Sequence, residues 1–207
     1  MGIITGTLLV GFISKVMGKF KKKKNFIFHD IEQLRLAKKI AVIGCAGSGK
    51  TYLSKQLANK LDLPIVHLDQ YHWLPGWQRV AQEDFSRKHT QLCQEQAWIM
   101  DGIYFRHLQE RIQATDAIIF LDMSRHDCLW NVIKRAVLYH GKVQDADPVG
   151  CKQQIFSFKF LEFLRWIWNF YPKTKPLIVS QLEQAKKSKI VLVITSQEEM
   201  NAFLEQL

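Results

Sequence analysis

The chain has 207 residues, of which 47% are hydrophobic and 23% charged, and its formal net charge is +10. Those figures suit one globular domain able to bury its own core and exclude a low-complexity or collagen-like chain. The charge is lopsided: residues 1–39 hold nine Lys/Arg against two Asp/Glu, a balance of +7, whereas the remainder carries +3, so a nucleic-acid footprint running the length of the sequence is not supported.

The first stretch, "MGIITGTLLVGFIS", is apolar and uncharged, and "KVMGKFKKKK" follows it. The apolar run is shorter than the roughly 18 residues of a membrane span and lacks the basic leading segment of a secretory signal. Position 6 is Gly, so the myristoylation pattern fails. Three readings stand side by side. One is a peripheral membrane contact through residues 1–24, the apolar wedge and the lysine patch acting together. Another is a nucleic-acid contact through the lysines at 21–24, and the third is a solvated tail, the usual state of such a run. The domain division that follows is 1–38 as an extension outside the core and 39–207 as the body. Lysines placed after the apolar run keep that body on the cytoplasmic side.

From there the elements alternate. "KIAVIG" (39–44) is a continuous apolar run ending in glycine, the mark of a buried parallel strand. "TYLSKQLANKL" has helical spacing, "PIVHLD" (64–69) reads as a second strand, and "EDFSRKHTQLCQEQ" as a helix. "WIMDG" (98–102) and "AIIFLD" (117–122) are the third and fourth strands, and "CLWNVIKRAVLY" is a helix. A polar loop, 140–152, then leads into the aromatic helix "FSFKFLEFLRWIWNFY". "KIVLVIT" (189–195) is the fifth strand. Strands alternating with helices predict an α/β fold with a five-stranded parallel sheet covered by helices on both faces, three layers in all. Phe156, Phe160, Phe163, Leu164, Ile167, Phe170 and Tyr171 recur at helical spacing and predict a core-facing stripe.

"GCAGSGKT" (44–51) fits G-x-x-x-x-G-K-[ST], and it follows a buried strand and opens a helix, the context that gives this motif its meaning. Gly44, Gly47 and Gly49 let the backbone wrap an anion without Cβ clashes. The amides of Gly44, Cys45, Ala46, Gly47, Ser48 and Gly49 and the helix start then face phosphates. Lys50 neutralises the β- and γ-phosphates, and Thr51 offers a hydroxyl to Mg²⁺. ATP is therefore the expected ligand and Mg²⁺ the expected cofactor. Cys45, Cys93, Cys128 and Cys151 show neither metal spacing nor a disulfide framework, which reads as free thiols in a reducing cytosol. Cys45 lies within the glycine loop, where oxidation would block nucleotide binding.

A nucleotide site of this kind belongs to a switch, a motor or a kinase. "NKLD" (59–62) matches the guanine-reading pattern of a switch but falls at the far end of the first helix, away from the phosphates. A motor carries consecutive acidic residues after an apolar strand, and "MDG" and "LDM" have one carboxylate each. A small kinase remains. It needs acceptor groups at the carboxyl ends of the strands, where Asp69, Asp101 and Asp122 end successive runs.

The segments "IGCAGSGKT", "LPIVHLDQYHWLPGW", "WIMDGIY", "IIFLDMSR", "CLWNVIKR" and "FLEFLRWIWNF" resemble the small adenylate kinase-like P-loop kinases, and most of all the bacterial DNA topology modulation (FlaR-like) proteins. The resemblance covers about four fifths of the chain. It implies a five-stranded parallel sheet, an ATP site and a lid at 140–152. It places Asp101 beside the P-loop strand as a water-mediated Mg²⁺ holder, and Asp69 where related nucleoside kinases keep a carboxylate that takes a proton from the acceptor hydroxyl. Tyr71, His72, Trp73 and Trp77 either stack on an aromatic acceptor or simply pack around the Pro75–Gly76 turn. His67 is read as a strand-packing residue. Arg106 and Arg111 are candidates for acceptor phosphates, and Arg125 and Arg135 for the transferring group, since Arg binds phosphate bidentately; surface solvation is the plain alternative for each. The pattern departs in "DGIYFRH", which lacks the Phe-Pro-Arg of adenylate kinases proper and has Ile103 where the closer relatives have Asn. The lid contains Lys142 and Lys152 and no arginine. The resemblance implies no known acceptor; the expected function is ATP-dependent phosphoryl transfer to a small hydroxyl or phosphate acceptor, with a nucleoside or nucleotide the first choice. The alternative is a regulatory ATP-binding protein touching DNA or a membrane through its basic N-terminus.

Overall fold

The computed structural model of the chain describes residues 27–143, 147–153 and 155–207. In chain order its elements begin with α1 (Ile27–Leu36), β1 (Lys39–Gly44), α2 (Lys50–Leu61), β2 (Ile65–His67), the short α3 (Asp69–His72), β3 (Trp73–Leu74), β4 (Gln78–Arg79), α4 (Gln82–Gln94) and β5 (Trp98–Asp101). After a 3₁₀ turn at Phe105–His107 come α5 (Leu108–Ala114), β6 (Ala117–Leu121), α6 (Arg125–Leu138), α7 (Phe158–Asn169), a π-turn at Phe170–Thr174, α8 (Lys175–Ala185), β7 (Ile190–Ile194) and α9 (Gln197–Gln206).

The run "KIAVIG" becomes the central strand because nothing from Ile40 to Ile43 can face water at low cost. Ile40, Ala41, Val42 and Ile43 are fully buried, and a strand covered on both faces needs that uninterrupted apolar character. β1 pairs with β5 on one side and β6 on the other, all parallel, and the sheet order is β2-β5-β1-β6-β7. Helices cover both faces: α2 packs on β1 and β5, α5 on β1, and α1 and α8 on β7. This is the three-layer α/β arrangement with the five strands expected. The register carries the functional consequence. Val42 lies opposite Asp101 and His67 opposite Asp101, so the glycine loop, Asp101 and the start of α3 at Asp69 leave the sheet along one edge.

Three expectations are corrected. The core does not begin at Lys39: Ile31, Leu34 and Ala37 are buried in the main apolar cluster, and Arg35 Nη2 donates to the carbonyls of Gln206 and Leu207. The i, i+3 spacing of Ile31 and Leu34 makes one apolar edge, but a single helical turn is a faint signal beside the lysine run before it. The aromatic stripe is also only half inside. Ile167 and Phe170 are buried, and Phe160, Phe163, Leu164 and Tyr171 pack partly against the core. Phe156, 93% exposed, precedes the helix. α7 lies against α6 and not on the sheet, so it buries one narrow edge and leaves Phe158, Leu161, Trp166 and Trp168 exposed. Finally, the second strand is shorter than 64–69, because the chain turns at Leu68 into α3.

The Pro75–Gly76 turn joins β3 and β4 into an antiparallel hairpin. The end of the 140–152 loop meets this hairpin at residues 150–152: Gly76 N–H donates to Gly150 O at 3.2 Å, Trp77 Nε1 to Lys152 O at 2.9 Å, and Cys151 Sγ to Leu74 O at 3.2 Å. Residues 1–26, with the apolar run and the lysines at 21–24, lie outside the described residues. Among the described residues, no helix is long and apolar enough to cross a membrane.

Candidate functional site

The glycine loop joins the buried end of β1 to α2, whose first turn carries no acidic side chain. The amides of that first turn have no partner within the helix and point out of its N-terminus, a position that favours an anion. Gly47 has φ 78, and a Cβ placed there would meet the Cys128 carbonyl oxygen at 2.2 Å. Only glycine lets the loop pass this close under the start of α6. Asn131 Nδ2 of α6 donates to Gly47 O at 2.9 Å and fastens the same approach. Lys50 Nζ folds back onto Cys45 O at 2.8 Å, which holds the ammonium over the loop. Ser48 Oγ is buried with no hydrogen-bond partner among the described residues. An unpartnered hydroxyl inside a ring of amides is the mark of a cradle shaped for an oxyanion.

The carboxylates part company. Asp101, at the end of β5, is buried, and its Oδ2 lies 2.9 Å from His67 Nδ1; His67 thus orients this carboxylate instead of merely packing. Asp69 opens α3, is exposed, and accepts a hydrogen bond from Tyr104 Oη at 2.5 Å. Burial, and then the Asp69 charge, push the Tyr104 hydroxyl far above its ordinary value, so it stays a donor. Tyr104 has φ 27, an uncommon backbone for a bulky residue and a form of strain that gathers at functional positions. Gly102 permits the turn: with φ 125, its Cβ would meet the Tyr104 ring at 3.1 Å. Asp122, the third strand-end carboxylate, is taken up by Lys175 at 2.5 Å. Burial raises its pKa, while the Lys175 ammonium opposes that.

Around Asp69 stands an aromatic wall. His72 lies edge-on to Trp73 at 4.9 Å and to Phe85 at 4.8 Å, and 4.7 Å from the Tyr104 ring. Trp73 meets Trp77 at 5.8 Å and carries Arg79 over its face. Tyr71 is half-buried beneath Lys88. Burial pushes His72 below its ordinary pKa. Tyr104, Phe85 and Arg79 are members the sequence reading missed. Tyr104 is visible only as a Tyr two residues after Asp-Gly, and Phe85 looks like any apolar position of an amphipathic helix.

The arginines divide as well. Arg106 is exposed near this wall. Arg111 is 0% exposed; Nη2 donates to Ile103 O at 2.9 Å, and Nε and Nη1 find no partner among the described residues. Burial lowers its pKa to about 10. A guanidinium sealed inside corrects the alternative of surface solvation for Arg111. Arg125 stacks over Trp168 at 4.4 Å and Tyr171 at 5.2 Å, so its head is held by α7 and the π-turn. Arg135 is half-buried, with Nε buried and unpartnered among the described residues.

All four cysteines are free. Cys45 is buried in the core cluster. The neighbouring Cys128 thiol, together with burial, pushes Cys45 up, while the Cys45 thiol lowers Cys128 to about 7. Tyr171 Oη also donates to Cys128 Sγ at 3.3 Å.

No protein-family model matches this sequence, and no curated protein matches it. Among solved structures the chain is similar to a shikimate kinase from Acinetobacter baumannii in complex with shikimate, at 13% identity and TM-score 0.50, with 85% of this chain and 93% of that chain covered. A shikimate kinase from Bacteroides thetaiotaomicron is similar at 15% identity and TM-score 0.48, covering 82% and 95%. A gluconokinase from Sinorhizobium meliloti is similar at 12% and 0.46, covering 82% and 88%. The first of these shows the fold: the chain has the three-layer P-loop architecture found in that small kinase. The resemblance to DNA topology modulation proteins gains no support from these comparisons.

Proposed function

We propose that the chain is an ATP-dependent phosphotransferase that moves the terminal phosphoryl group to the hydroxyl or phosphate of a small acceptor, with a nucleoside or nucleotide the class that suits its aromatic wall. The observation that carries this reading is the exposed Asp69 carboxylate, held by Tyr104 on the sheet edge from which the glycine loop also leaves. A phosphate cradle and a carboxylate on one edge are what in-line transfer requires, because the protein contributes position and charge more than covalent chemistry.

In this reading the loop amides and Lys50 grip the triphosphate tail. The Thr51 hydroxyl and the Asp101 carboxylate are hard oxygen donors of the kind that hold Mg²⁺, and His67 keeps the carboxylate turned. Bound Mg²⁺ supplies charge neutralisation at the β- and γ-phosphates. Asp69 accepts the acceptor's proton once the acceptor hydroxyl replaces Tyr104 Oη as its partner. Tyr71, Trp73 and Trp77 offer faces for an aromatic acceptor, and Arg106 an exposed cation for its phosphate. Arg135 reaches the transferring group; Arg125 would have to leave the Trp168 face to join it. The loop at 140–152, whose residues 150–152 meet the β3–β4 hairpin, is the lid over both substrates. Four free thiols suit a reducing cytoplasm.

The test is ADP release from Mg²⁺–ATP with a panel of nucleosides, nucleotides and hydroxy acids. At least one acceptor is expected to raise release above the water background, and Lys50→Ala to abolish the increase with the fold intact. Full activity in Lys50→Ala would remove the loop from the chemistry. The +7 balance of residues 1–39 favours a second reading, a regulatory ATP-binding protein that contacts DNA or an anionic membrane. DNA binding of that kind falls steeply with salt through counterion release and disappears when residues 1–26 are removed.

A further inference from the structure

Between α4 and α5 lies a group of side chains that phosphoryl transfer leaves unused. His89 on α4, His107 in the 3₁₀ turn and Glu110 on α5 each bring one ligand atom to a common point, all within 4.8 Å of one another. His107 and Glu110 are neighbours at i, i+3 where the 3₁₀ turn runs into α5, and the packing of α4 on α5 brings His89 to them. His89 is 0% exposed, and burial keeps an imidazole neutral, the form that offers a lone pair to a metal. His107 and Glu110 are half-buried and leave a solvent-side opening.

We infer that His89, His107 and Glu110 form a site for one borderline transition-metal dication of the Zn²⁺ type, with the remaining position open to water. Two imidazoles and one carboxylate make the nitrogen and oxygen donor set that such ions take. A second layer already orients it. Thr90 Oγ1 donates to Glu110 Oε1 at 2.6 Å, and Gln82 Nε2 lies 3.1 Å from His107 Nε2; turning the Gln82 amide over makes its oxygen the acceptor of an Nε2 proton and frees His107 Nδ1 for the metal. Partners of this sort set ligand direction and affinity. His89 Nδ1 and Glu110 Oε2 are 2.9 Å apart in a hydrogen bond. A metal between them needs the His89 proton on Nε2 instead, a tautomer change that releases no net proton. Cys93 Sγ lies almost equally far from both ring nitrogens, 3.8 Å from Nδ1 and 3.9 Å from Nε2. The buried Arg111 charge bears on both His89 and His107 and so opposes a dication. The affinity that follows falls short of a structural zinc site, in which thiolates cancel the charge.

The inference is independent of the proposed kinase activity. Its test uses the full chain, stripped with a chelator, titrated with Co²⁺ and read by visible d–d absorption, followed by displacement with Zn²⁺. One equivalent per chain is expected, with the bands lost on Zn²⁺ addition. Glu110→Gln and His107→Gln should each weaken binding at least ~10-fold, the size of effect that even second-layer losses produce. Asp101→Asn should leave it unchanged, which separates this site from the phosphate loop. His107 is partly exposed, so His107→Gln serves if Glu110→Gln fails to fold. Absence of the bands, or binding untouched by both ligand variants, overturns the inference.

Discussion

Asp69 and Tyr104 share one hydrogen bond, and removing either partner has a distinct consequence. Asp69→Asn keeps the shape but cannot take a proton, so turnover should fall by about 10²–10⁴-fold, the range for a lost general base, with ATP affinity preserved. Equal losses in both would count against Asp69 as the base. His89 makes a pH-dependent contribution to stability. Burial, and then the Arg111 charge, lower its pKa from 6.5 to about 4. The unfolded chain therefore takes up a proton near pH 6.5 that the native chain refuses until about 4. Stability from this residue is complete above the higher value and is lost on acidification between the two, by about 3 kcal/mol. Glu110 adds in the same direction: burial raises its pKa, but bonds from Thr90 and His89 outweigh that and hold it below its usual range. Urea unfolding at pH 7.5 and pH 5 should show the loss, and His89→Asn, which has no imidazole to titrate, should flatten it.

At the scale of elements, the phosphate loop and α6 form one unit. A methyl group at Gly47 would meet the Cys128 carbonyl at 2.2 Å, and main chain cannot yield as a side-chain tip can. Gly47→Ala should abolish ATP binding in calorimetry while most of the secondary structure survives; unchanged binding would mean that the loop and α6 separate freely. α1 makes the complementary case. Leu34 is fully buried against the core, so Leu34→Ala should cost about 2–5 kcal/mol in denaturant unfolding. That size of loss would mark α1 as part of the folding unit; a negligible one would return it to the extension. Both predictions concern contacts between segments far apart in sequence, which is why neither Gly47's neighbour nor α1's role is visible from the motif or from the lysine-rich run.

Taken whole, the molecule places a mildly basic body behind a strongly basic leading segment. Removing residues 1–26 should leave ATP binding and thermal stability unchanged if the body is self-sufficient. Removing 1–37 should destabilise it by about 3–6 kcal/mol, because Ile31 and Leu34 lose their burial. Equal effects of the two deletions would place the boundary elsewhere. The strand-helix alternation and the glycine loop were legible in advance, since each depends on a pattern within a few residues. Arg111 and Arg125 were not. Each read as a candidate phosphate ligand or a solvated surface group, and one is sealed beneath Ile103 while the other lies on the face of Trp168. A guanidinium reads the same on a linear chain wherever it ends up.

Local chemistry was sufficient for two things. Continuous apolar runs define strands buried on both faces, and three glycines before Lys-Thr define a backbone that wraps an anion, because burial preference and backbone freedom are properties of single residues at short range. The tertiary structure alone decided which side chains meet. It joined Tyr104 to Asp69, His67 to Asp101, Lys175 to Asp122, and His89 to Glu110. The last of these depends on how α4 and α5 pack, the others on the parallel register of the sheet or the turns leaving it, and none of that is written in the spacing of residues along the chain.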